Sequence, residues 1–106
     1  MQLLGYFKDG EDSIYSEFHI EKPEGVEILF ATYDVEGYDG SAFVLFRQDG
    51  ELYEVHGSHC SCYGLEDQWK PEKTSIKALR LQNLSVYHGG LVGAALTEFL
   101  TNFETA

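Results

Sequence analysis

Ala42-Phe43-Val44-Leu45-Phe46-Arg47-Gln48-Asp49-Gly50-Glu51-Leu52-Tyr53-Glu54-Val55 decides the fold class. Two runs rich in β-branched and aromatic residues flank Asp49-Gly50, and Asp-Gly between such runs signals a hairpin because both turn positions take positive φ. Upstream, Val26-Glu27-Ile28-Leu29-Phe30-Ala31-Thr32-Tyr33 is apolar at both parities after Glu27, the pattern of a central strand covered on both faces. Three antiparallel strands in a meander are expected.

Working outward, Ser13-Ile14-Tyr15-Ser16-Glu17-Phe18-His19-Ile20 fits either a capped helical turn with Ile14 and Phe18 inward or an alternating strand, and the short helix is favoured. Residues 56–70, rich in Gly, Ser and Cys, read as a loop ending at Trp69. After Pro71, Thr74 or Ser75 can cap a helix to about Asn83 that buries Ile76 and Leu79. Lys70, Lys73, Lys77 and Arg80 would then follow one side of that helix as a solvated stripe. After Gly89-Gly90, the residues Val92, Ala95, Leu96, Phe99, Leu100 and Phe103 recur at helical spacing and predict a helix packed on the sheet. The expected fold is one α+β domain over residues 1–106, a three-stranded or slightly larger antiparallel meander sheet against two or three helices.

A chain of 106 residues, 43% hydrophobic and 14% aromatic, has material for one core. It lacks an apolar run of the roughly 18 residues needed to cross a bilayer, and its Met1-Gln2-Leu3-Leu4 start does not resemble a signal peptide, so a soluble, cytoplasmic protein is expected. Eighteen acidic residues against seven basic ones give a net charge of -11, which disfavours direct contact with nucleic acid or anionic membranes. The charge is uneven along the chain, net -12 over residues 1–67 and +1 over 68–106, which predicts an acidic face opposite a near-neutral one.

Potential nucleophiles and soft metal ligands crowd into one window, His56-Gly57-Ser58-His59-Cys60-Ser61-Cys62. Cys60 and Cys62 are too close in sequence to staple distant segments. A zinc site would draw on His56, His59, Cys60 and Cys62, with His88 or a carboxylate from elsewhere, although zinc sites usually use two separated ligand pairs. A catalytic thiol would need a neighbouring imidazole, whereas Glu54, Glu66 and Asp67 nearby oppose thiolate formation. The ordinary alternative is a structural loop in which buried thiols act as small apolar groups. No residue is assigned a catalytic role and no cofactor is expected.

The carboxylates carry a sharper possibility. Asp34, Glu36 and Asp39 between two strands have only part of a calcium loop's ligand series. Alternate positions on a strand are about 6.7 Å apart, a charge spacing of the same order as a nucleic-acid backbone. Glu27, Asp34, Glu36, Asp39, Asp49, Glu51 and Glu54 lie on or beside the meander, with Tyr33, Tyr38 and Tyr53 as aromatic anchors. Such a surface would mimic nucleic acid and occupy the basic site of a protein that handles it. Solubility alone also accounts for many acidic surfaces.

From about Glu27 to Leu79, half of the chain, the sequence resembles small bacteriophage and prophage proteins of unassigned function. The likeness lies in Ile28 to Tyr33, Tyr38 to Phe46, Asp49 to Val55, and Gly57-Ser58-His59-Cys60-Ser61-Cys62-Tyr63-Gly64-Leu65-Glu66 followed by Gln68-Trp69. It implies a phage origin and marks the Cys-Ser-Cys segment as a hallmark of fold or site. Small acidic phage proteins resemble, in size and charge, inhibitors of host restriction or CRISPR machinery. The implied partner is the basic surface of a host nucleic-acid-binding complex, met by a monomer or homodimer.

Overall fold

Asp49 and Gly50 turn the chain with φ of 54° and 81°, the positive pair that a two-residue type I′ turn requires. In the computed structural model, which describes residues 1–36, 39–59, 64–79 and 98–103 and gives Val35, Glu36, Asp39 and His59 by backbone only, that turn joins β3 (Asp39–Gln48) to β4 (Glu51–His59). β2 (Glu27–Glu36) pairs antiparallel with β3, so the expected meander is present.

Two further strands extend it. β1 (Gln2–Gly5) lies parallel to β2, and β5 (Glu72–Thr74) flanks β4, giving a five-stranded mixed sheet in the order β1-β2-β3-β4-β5. The fold is α+β. The segment 56–59, expected as loop, instead continues β4, because Phe43, Ala42, Ser41 and Gly40 of β3 pair with His56 to His59 in unbroken register. Likewise Asp34 to Glu36 and Asp39 to Gly40, expected within an acidic loop, are ladder residues, and Gly37 and Tyr38 between them lie outside the described residues.

The helix α1 (Glu11–Phe18) connects β1 to β2 and turns Ile14, Tyr15 and Phe18 inward, as its spacing predicts. The expected side-chain cap is absent: Gly10 occupies the N-cap position, and the Ser13 hydroxyl donates back to the Gly10 carbonyl at 2.6 Å. Glu11 and Asp12 in the first turn suit the helix dipole. The helix ends at left-handed His19, whose N–H donates to Ser16 while that of Ile20 donates to Tyr15, a Schellman ending.

The chain divides into two compact units, Met1–Lys73 and Thr74–Ala106. In the first, α1 covers one sheet face, packing Ile14, Tyr15 and Phe18 with Ile28, Ala31, Tyr33, Val44, Phe46 and Val55. Burying each large side chain of this kind stabilises the fold by about 1.5–3 kcal/mol. The opposite face is buried at Leu29, Phe30, Phe43 and Leu45, as the two-sided apolar pattern of β2 requires.

In the second unit, Ser75 caps a helical turn over 76–79, accepting from the Ala78 N–H at 3.1 Å, and Leu79 is buried while Ile76 is partly so. The remainder of the expected helix to Asn83 lies outside the described residues. So do Val92, Ala95 and Leu96, although residues 98–103 are helical, with Leu100 buried and Phe99 stacked on Phe103 at 5.7 Å. The basic stripe is not one helical side: Lys70 is in a loop, Lys73 in β5 and Lys77 in the helical turn. Among the described residues no helix is long and apolar enough to cross a membrane.

The α1 seat carries a pH signature. Tyr15 donates to Glu11 at 2.7 Å, and burial, then that bond and the carboxylate charge, raise its phenol above the ordinary tyrosine range. Burial and Glu17 also raise Tyr33. A raised folded pKa gives stability that is full below about pH 10, where unfolded tyrosine titrates, and lost as pH rises toward the folded value. Urea midpoints measured at increasing pH above that range should fall, and Tyr15→Phe should make the fall shallower by close to one proton.

Candidate functional site

Strand register sorts the candidate partner-binding residues. Glu27, Thr32 and Asp34 of β2 share a face with Arg47, Phe43 and Ser41 of β3 and with Glu54, His56 and Ser58 of β4. Glu36 and Asp39 stand opposite one another in the ladder at the far end of this hairpin, and Tyr38 lies outside the described residues. Glu27 is engaged locally, since Arg47 donates to its Oε1 from Nε at 3.0 Å and from Nη2 at 2.8 Å. Asp49 and Glu51 sit at the opposite turn, where Glu51 pairs with Lys73 at 2.8 Å.

Two expected surface residues are interior. Tyr33 is buried in the α1-facing core, and Glu54 is 4% exposed. For Tyr33 the reason is a bulge at Leu29: Ile28 pairs with Phe46 and Phe30 with Leu45, so side-chain parity flips along β2 and Tyr33 joins the Ile28 face, whereas Glu54 stands opposite buried Leu45 on the other face. Tyr53 is partly buried and stacked on Phe46 at 5.4 Å, which leaves it a packing residue more than an anchor. Among the described residues the exposed aromatic is Tyr6, beside Tyr33, and it was not legible in the sequence because an isolated Tyr beside Gly5 carries no periodic signal.

The Cys/His window is mounted by residues on both sides of it. The carboxamide of Gln68 accepts from the Ser58 N–H at 2.7 Å and donates to the Ser58 carbonyl at 2.7 Å and the Gly64 carbonyl at 2.8 Å. One side chain thus pairs with β4 as a neighbouring strand would, and clasps both ends of the segment 59–63. Glu66 accepts from the Gly64 N–H at 3.1 Å. Leu65 is fully buried over Gly57, where an added Cβ would stand 2.9 Å from Leu65 Cδ2. Trp69 completes the seat, stacked on Phe46 at 5.6 Å and edge-on to Phe18 at 5.2 Å.

Removing the clasp should loosen the loop before it unfolds the sheet. Gln68→Ala is expected to lower stability by about 1–2 kcal/mol, the scale of lost hydrogen bonds that water partly replaces. Amide exchange at Ser58 should rise well above that at Val55. Gln68→Glu should behave similarly, because a carboxylate cannot donate to the two carbonyls.

Beside the clasp, His56 Nε2 lies 2.8 Å from Oε1 of the buried Glu54, and the imidazole packs edge-on against its cross-strand partner Phe43 at 5.2 Å. A buried carboxylate demands such a partner. His56 is more open than Glu54 and borders a hollow of about 270 Å³ with Asp67, Gln68, Lys70 and Glu72. A second hollow, of about 510 Å³, is lined by Ser58, Glu66, Asp67 and Gln68. Both are polar and open, unlike the enclosed apolar pockets that usually hold small substrates.

Of the candidate metal ligands, His56 is engaged by Glu54, His59 is described by its backbone at the end of β4, and Cys60 and Cys62 lie outside the described residues. Among the described residues no three His, Cys, Asp or Glu side chains gather as a metal site. No family model matches the chain. No curated protein and no solved structure matches it either.

Proposed function

We propose that this chain is a non-enzymatic acidic binding protein that occupies a basic site on a protein complex handling nucleic acid. The resemblance of its central segment to phage and prophage proteins extends the proposal: a phage-encoded inhibitor, of anti-CRISPR or anti-restriction type, acting in the host cytoplasm against a defence complex.

One observation carries it. The unit Met1–Lys73 holds sixteen carboxylates against five cations, the whole net charge of -11. Three of those cations, Lys22, Arg47 and Lys73, are already in ion pairs. Exposed carboxylates stand on α1 and the following loop as well as on the meander, including Asp12, Glu17, Glu21 and Glu24. The field is therefore broader than the sheet face alone, and suits steering toward a positive macromolecule.

A pull-down with candidate nuclease effectors at low and high salt tests this, with a partner retained at low salt and released at high salt as the expected result. Failure to find any salt-weakened partner overturns it. With a partner in hand, Glu36→Lys together with Asp39→Lys should slow association without shifting the melting temperature.

A zinc- or thiol-dependent role for His56, His59, Cys60 and Cys62 is the second reading, favoured by the Gln68 clasp on Ser58 and Gly64, which flank all of these residues but His56. Stoichiometric metal in the purified protein, or rapid alkylation of the thiols, would support it.

A further inference from the structure

We propose that Tyr6, at the end of edge strand β1, is the contact point for an arginine side chain of the basic partner, with Asp34 as its carboxylate acceptor. This surface rests on the acidic-binding function proposed above and names where the partner docks.

Tyr6 is 59% exposed and, with Met1, is one of two exposed large hydrophobic residues among those described. It is also firmly mounted. Its N–H donates to the Tyr33 carbonyl at 2.8 Å, and its ring rests 5.7 Å from that of Tyr33, which in turn packs on fully buried Phe7 at 5.3 Å. A rigid aromatic held on a core, with two side-chain torsions to order, is the usual form of an interface anchor.

The surroundings select the occupant. A Cβ built on Gly5, the residue before Tyr6, would lie 2.9 Å from Asp34 Oδ1, so this carboxylate sits beside the strand end. An aromatic face beside a strand end that holds a carboxylate suits a guanidinium, which can stack and hydrogen-bond together, whereas an ammonium is a compact, strongly hydrated charge that matches it less well. Arginine is also the side chain with which basic sites most often hold phosphates.

Calorimetric titration of the full chain with oligoarginine and with oligolysine of equal length tests the surface. Oligoarginine should bind more tightly, and Tyr6→Ala should weaken its binding by about threefold to tenfold while Tyr6→Phe retains it. Asp34→Asn should weaken it too, and Asp49→Asn at the far turn should do so less. Melting curves of each variant separate lost binding from lost folding. Salt-weakened binding that is the same in Tyr6→Ala as in the parent overturns this surface and leaves the acidic-binding function standing. No salt-weakened binding of either peptide overturns both.

Discussion

Truncating Phe18 to alanine is expected to lower the unfolding free energy by about 3–5 kcal/mol, the range for a large aromatic removed from a close-packed core. Phe18 is fully buried at the end of α1, 6.5 Å from the Phe7 ring and 5.2 Å from Trp69. A Cβ on Gly57 would come within 3.3 Å of it. It therefore joins the helix, the β4 strand and the loop that returns through Trp69, and its loss removes contacts from all three. Single-domain stabilities are about 5–15 kcal/mol, so the variant should retain only part of its folded population under mild urea. A loss below about 1 kcal/mol, the scale of an ordinary substitution, would show that α1 is not seated on the sheet in this way.

The second large effect is expected at Gly5. Its φ is +62°, and a Cβ there would stand 2.1 Å from the carbonyl oxygen of Tyr33. Left-handed backbone costs a non-glycine residue about 1–2 kcal/mol. The obstructing atom is backbone, which cannot rotate away as a side chain would. Gly5→Ala should thus cost about 3 kcal/mol or more as strain and overpacking add. The ladder from Gln2 to Gly5 should separate from β2 first, exposing the Tyr6 N–H, and hydrogen exchange at that amide would report it. Stability equal to the parent would refute the parallel β1–β2 pairing.

The hairpin at Asp49-Gly50 and the central place of β2 were legible because each rests on a local signal, the turn dipeptide and the doubled apolar parity. α1 was legible through Ile14 and Phe18. β1 was not, since a four-residue parallel strand is recognised only through the partner that α1 brings beside it. The ends of β4 and β2 were missed for a related reason. His56-Gly57-Ser58-His59 has no strand composition, yet β3 supplies its hydrogen bonds and Leu65 its cover. In the candidate site, the part played by Gln68 was not legible, because its three hydrogen bonds go to backbone groups four and ten residues away.

Sequence by itself determined the α+β class, the meander and the strong negative charge, all properties of composition and short-range pattern. Which carboxylates and aromatics reach the surface was decided only in three dimensions. One bulge at Leu29 turns Tyr33 into the core and keeps Asp34 on the face of Glu27 and Arg47, while the crossover through α1 sets Tyr6 beside them. A single added residue in a ladder reverses every side chain beyond it, and only pairing with the neighbouring strand settles where that residue is placed.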